Sequence, residues 1–131
     1  MSIDAIGNFL TIIRNGIMSS KTVVEIPHSN LKFEIASLLK DEGFIKDLAV
    51  VDNEGKKAIQ VFLKYDHKGE SAIHEITRVS KPGRRSYKGA TSIKPVIGGL
   101  GVSILTTSKG VITQKKAKAM GIGGEVMCTV W

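Results

Sequence analysis

Ile3, Ile6, Leu10, Ile13 and Ile17 recur at steps of three and four residues, which lines them along one face of a helix. Ser2 caps its start, Asp4 suits the positive end of the helix dipole, and Gly16 ends it. Residues 22–26 are β-branched and stopped by Pro27, the pattern of a short strand. Leu31, Ile35, Leu38 and Leu39 mark a second helix, capped by Ser29 or Asn30 and closed by Gly43. Residues 44–51 read as a strand. Asp52-Asn53-Glu54-Gly55 has strong turn chemistry, and residues 58–65 return as a strand with Ile59, Val61, Leu63 and Tyr65 on one face. Helices and sheet must cover one another to bury these faces.

The pattern changes after residue 65. Residues 66–71 are polar, contain Gly69 and read as a linker. Residues 72–79 read as a strand, Lys81-Pro82-Gly83-Arg84-Arg85 as a basic turn and residues 86–88 as a short strand. Gly98-Gly99-Leu100-Gly101 punctuates the chain before a strand over residues 102–107. Ser108-Lys109-Gly110 is a tight turn, residues 114–120 a short basic helix ended by Gly121, and residues 125–131 a last strand. The fold class is therefore α+β. An N-terminal α-β-α-β-β domain is expected over residues 1–68, and a mostly β C-terminal domain with a short helix over residues 69–131.

Charge separates the same two parts. Residues 1–70 carry nine Lys/Arg and ten Asp/Glu, whereas residues 71–131 carry ten Lys/Arg and two Asp/Glu. No acid occurs between Glu75 and Glu125, a gap that twelve scattered acids would rarely leave. A solvated basic surface explains solubility alone. A polyanionic partner explains the clustering, since attraction to closely spaced phosphates grows with local charge density. No apolar run approaches the roughly 18 residues of a membrane span, and no secretory signal pattern opens the chain. The one cysteine, Cys128, builds no internal disulfide framework; it reads as buried in a strand, and a reducing cytoplasmic compartment fits.

Catalytic patterns are not met. His28, His67 and His74 lack paired-ligand spacing, and one cysteine cannot make a multi-cysteine zinc site. The segment from Gly101 to Leu105 lacks the second glycine of a nucleophile elbow. Asp41/Glu42 and Asp52/Glu54 fall at a helix end and in a turn, where acids are normally solvated. Ser108-Lys109-Gly110 has phosphate-loop residue types in the wrong order. The glycines at 98–101 fit the bare GxxG of a KH module, but a strand follows instead of a helix. The chain is read as a binding protein, with no enzyme activity, cofactor or metal expected.

Three segments suit RNA. Thr106-Thr107-Ser108-Lys109-Gly110 joins three hydroxyls, a point charge and a glycine that permits close approach. Such a loop suits phosphate, ribose 2′-OH and base edges, although an ordinary turn has the same composition. Gly123-Gly124-Glu125 places a lone acid in a basic region, either to accept from base amino groups or to pair with a nearby cation. Tyr87 beside Arg84, Arg85 and Lys88 can stack on a base or pack on the sheet. Aromatic residues are only 5% of the chain, too few for a stacking platform, so a structured RNA helix with irregular bases is the better target. DNA binding and an acidic protein partner stay open as alternatives.

Together these residues resemble the bacterial family of the eighth small-subunit ribosomal protein. The likeness includes Ile12-Ile13-Arg14-Asn15-Gly16, Lys40-Asp41-Glu42-Gly43-Phe44-Ile45 and the run from Arg78 to Arg85. Its most specific parts are Gly99-Leu100-Gly101, Thr107-Ser108-Lys109-Gly110-Val111 and Gly121-Ile122-Gly123-Gly124-Glu125, in the family's order. The resemblance implies two small α/β domains in a structural, cytoplasmic constituent of the small ribosomal subunit. It implies direct binding to the central domain of small-subunit ribosomal RNA and help in assembling the platform. Neighbouring small-subunit proteins, notably the fifth, and the protein's own messenger RNA are further implied partners; a membrane is not. The implied RNA-binding residues are Thr106, Thr107, Ser108, Lys109, Gly110, Gly123, Gly124, Glu125 and Tyr87, with Arg84, Arg85, Ser29 and Lys32 as extensions. Thr106 departs from the serine common at its place, keeping the hydroxyl and adding a methyl. Ser86 stands where the family usually has an aliphatic residue.

Overall fold

The computed structural model describes residues 5–80, 87–89 and 101–131. The expected cap at Ser2 with Asp4, the basic turn with Arg84 and Arg85, Ser86, and Gly98-Gly99-Leu100 lie outside the described residues. The described chain forms two compact units, Asn8–Ile73 and a second one from His74 to Trp131 that residues 5–7 join.

The first unit takes most of α1 (Ala5–Met18), then β1 (Val23–Pro27), α2 (Asn30–Asp41), β2 (Ile45–Asn53) and β3 (Lys56–Leu63). Its sheet is antiparallel in the order β1-β3-β2. Strict alternation along β3 buries Ile59, Val61 and Leu63. The β2–β3 turn gives Glu54 and Gly55 φ values of +54° and +84°, the backbone of a two-residue primed hairpin, with Gly55 N–H donating to Asp52 Oδ1 at 2.9 Å. The α+β reading and the α-β-α-β-β order hold here, with one difference. Gly16 does not end α1, which runs on to Met18. A Cβ at Gly16 would lie 2.4 Å from Val24 Cγ1, so this glycine lets the helix approach the sheet. Gly43, at φ +81°, follows α2 as expected. Residues 66–71 close on themselves: Asp66 N–H donates to the Glu70 carbonyl, and Asp66 Oδ1 accepts from Lys68 and Glu70 N–H.

The second unit holds β4 (Ile76–Arg78), β5 (Tyr87–Lys88), β6 (Val102–Thr107), β7 (Gly110–Thr113), α3 (Gln114–Met120) and β8 (Gly124–Val130). The sheet order is β4-β8-β6-β7, with β5 also paired to β8. Leu105, Ile112, Ala117 and Val126 form the core beneath α3. Thr113 caps α3, and Gly121 ends it at φ +70°. The strand expected over 72–79 is shorter, only Ile76–Arg78; one step before it Glu75 and Trp131 exchange backbone N–H···O=C bonds, and His74 N–H donates to the same Trp131 carbonyl. Strand β7, unforeseen, follows the Ser108-Lys109 turn directly.

Cys128 is buried at the centre of this sheet, and burial pushes its thiol up to about 12. Fewer than about one thiol in a thousand is then thiolate at pH 8. Native protein is expected to resist iodoacetamide at pH 8 and to react fully in denaturant; rapid native alkylation would contradict the buried placement.

Candidate nucleic-acid interface

Strand pairing brings separated segments to one end of the second sheet. Tyr87 on β5 lies opposite Glu125 on β8, and Glu125 lies opposite Thr106 on β6, which in turn faces Val111 on β7. The next row holds Lys88 opposite Gly124, with Thr107 opposite Gly110. Leu105 and Val126 face the α3 core, so alternation turns their neighbours Thr106 and Glu125 to the other face.

The two glycines make this convergence possible. A Cβ at Gly123 would lie 2.3 Å from the Lys88 carbonyl oxygen and 2.7 Å from Gly89 Cα. A Cβ at Gly124 would lie 2.3 Å from the Thr106 carbonyl oxygen and 2.8 Å from Thr107 Cγ2. Any side chain here would force β5 and β6 away from β8.

The Thr106–Thr107 hydroxyls differ in use. Thr107 Oγ1 accepts from Lys109 N–H at 3.0 Å and donates to the Gly110 carbonyl at 2.9 Å, so it shapes the turn. Gly110 takes φ +102° where the chain re-enters the sheet, while Ser108 and Lys109 stand exposed at the tip. Thr106 Oγ1 is buried and has no hydrogen-bond partner among the described residues. Such a group lowers stability unless a ligand satisfies it. Glu125 is half-buried, and its Oε2 accepts from Ser80 Oγ. Tyr87 is 68% exposed, which leaves its ring available for stacking.

The structure therefore gathers Thr106, Thr107, Ser108, Lys109, Gly110, Gly123, Gly124, Glu125 and Tyr87 at one sheet end. Ser29 and Lys32 come together elsewhere, in the first unit. Ser29 Oγ caps α2 by accepting from Lys32 N–H at 3.2 Å, and Lys32 is only 8% exposed. Arg84 and Arg85 lie outside the described residues. Sequence reasoning counted Lys88 only within the basic context of Tyr87 and gave no role to Ser80. Lys88 sits beside Gly124, and its place follows from Tyr87 once the strand pairing is known. The Ser80 contact spans 45 residues, and no local pattern announces it.

Among the described residues, no three His, Cys, Asp or Glu side chains group as metal ligands, and no helix is long and apolar enough to cross a membrane. Fold and site thus define a small basic α+β protein that gathers hydroxyls, glycines and a lone acid at one sheet end. Residues 4–131 match the sequence profile of ribosomal protein S8. The chain is 47% identical to the small ribosomal subunit protein uS8 of Halothermothrix orenii over 128 residues, covering 98% of this chain and 97% of that one. It is 51% identical to uS8 of Chromobacterium violaceum over 127 residues, covering 97% and 96%, and 50% identical to uS8 of Geobacter sulfurreducens over 128 residues, covering 98% and 97%. The chain belongs to the ribosomal protein S8 family, and its role is structural, non-enzymatic and ribosomal.

Proposed function

We propose that this protein binds the central domain of small-subunit ribosomal RNA directly and helps assemble the platform, with the β5-β8-β6-β7 sheet end as its main contact. The observation that carries this reading is the row Tyr87–Glu125–Thr106, next to the exposed Ser108-Lys109 tip, in a half of the chain with ten Lys/Arg and two acids. Each residue has a chemical task. Lys109, Lys88 and the α3 lysines attract phosphates by displacing counterions. Ser108 and the glycine backbone reach ribose and base edges, and Tyr87 stacks. The Glu125 carboxylate accepts from groups on irregular bases, and Thr106 Oγ1, buried in the free protein, joins it where binding opens this sheet end. Ser29 and Lys32 extend the contact from residues 1–68, while residues 69–131 carry the main site. Neighbouring small-subunit proteins, notably the fifth, adjoin the protein in the particle. A similar fold in its own messenger RNA would occupy the same surface and repress translation.

Competition binding tests the reading. A central-domain RNA fragment is expected to resist random structured RNA and duplex DNA by about 10³-fold at near-physiological salt. The protein's own message leader serves as a further competitor. Equal competition by every nucleic acid would reduce the basic face to a non-specific surface. With about five to eight phosphates neutralised, log K falls against log salt with a slope of about −4 to −7. Lys109→Ala is expected to make that slope shallower by about one and to weaken all RNAs alike. An unchanged slope would remove Lys109 from the phosphate contacts.

A further inference from the structure

Glu125 is held from beneath by a residue to which the family resemblance gave no task. Ser80 has 0% exposure, and its hydroxyl donates to Glu125 Oε2. The Ser80 backbone is itself fixed at both ends. Its N–H donates to the Val126 carbonyl at 3.0 Å, and its carbonyl accepts from Arg78 Nε. Val79 N–H donates to the Met127 carbonyl at 3.0 Å, so the chain continues to track β8 beyond β4 until it lies beneath Glu125. A glutamate has three rotatable side-chain bonds, and on an open sheet face its carboxylate samples several positions. A buried hydroxyl anchored to the same strand removes that freedom before any ligand arrives.

From this geometry we infer that Ser80 is a positioning residue for RNA recognition. It fixes the Glu125 carboxylate in the row between Tyr87 and Thr106, at the place where a base amino or imino group would donate. Arg78 secures Ser80 by holding its carbonyl. The inference rests on the reading of Glu125 as an RNA contact.

A double-mutant cycle on two RNAs tests it. Ser80→Ala is expected to weaken binding to the central-domain ribosomal RNA about tenfold, the effect of releasing an ordered side chain. Random structured RNA should change by less than about twofold, the ordinary scatter between independent sites. In a Glu125→Ala background the same serine change is expected to have no further effect, because no carboxylate is left to hold. Losses that add in full across the two backgrounds, or that fall equally on both RNAs, would overturn the positioning role and leave Ser80 a packing residue. The single Glu125→Ala variant separates the two levels. If it binds ribosomal RNA normally, the RNA role of Glu125 fails and the Ser80 role falls with it. If it binds poorly while Ser80→Ala binds normally, only the positioning role fails.

Discussion

Gly124→Ala is expected to lower both stability and specific RNA binding, through a single steric cause. The added Cβ would stand 2.3 Å from a backbone oxygen of Thr106 and 2.8 Å from Thr107 Cγ2. A backbone oxygen within a strand pair cannot rotate aside as a side chain can. Either β8 draws away from β6, breaking the Thr106–Glu125 pairing, or the 106–110 loop tilts off the sheet. The overpacking costs about 3 kcal/mol, the upper part of the usual range, because backbone rather than side chain must yield. A thermal melt should fall by about 10 °C for a domain of this size. Specific binding should fall further than non-specific binding, since the lysines persist while their registration with Glu125 and Ser108 is lost. An unchanged melting temperature would mean that the two strands separate freely at this end, and the convergence argued for the site would lose its basis.

Thr106→Val should move stability and binding in opposite directions. The Thr106 hydroxyl is buried with no partner among the described residues, so the free protein bears its desolvation penalty. Valine keeps the shape and removes the penalty, which should raise stability by about 1 kcal/mol. The same change deletes a donor and acceptor beside Glu125, and specific RNA binding should weaken by about 1–3 kcal/mol. Denaturant titration and competition binding measure the two effects separately. A loss of stability would mean that the hydroxyl is satisfied within the folded chain, and unchanged RNA affinity would take Thr106 out of the contact.

Local chemistry made most elements legible in advance. Residues 102–107 form a strand after the glycine punctuation, and residues 114–120 a helix that Gly121 ends, as read from the sequence, while the Thr113 cap was not foreseen. Asp52 to Gly55 forms the turn its composition demands. Features that depend on distant partners were not legible. Gly16 looked like a stop signal because a glycine that ends a helix and one that admits a neighbouring strand have the same local sequence; only Val24 distinguishes them. Residues 72–75 had strand-forming composition; Glu75 still exchanges backbone bonds with Trp131, but His74 N–H shares that same Trp131 carbonyl instead of taking a partner of its own. Strand β7 is four residues between a turn and a helix, too short to display a period. Within the site, residue types suggested hydroxyls, glycines and a lone acid. They could not tell that Thr107 shapes the turn while Thr106 is sequestered, or that Ser80 lies under Glu125. Strand register set those roles, and register emerges only when the sheet is assembled.

The central claim is that one end of the second sheet meets the RNA, and backbone amide NMR tests it most directly. Titrating ¹⁵N-labelled protein with a central-domain RNA fragment should shift or broaden the amides of residues 106–110, 123–125 and 87–88 first and most. The amides of β1, β2 and β3 should change little. Perturbations concentrated on the β1-β3-β2 sheet, with residues 106–110 and 123–125 unaffected, would contradict the account and place the RNA contact elsewhere on the protein.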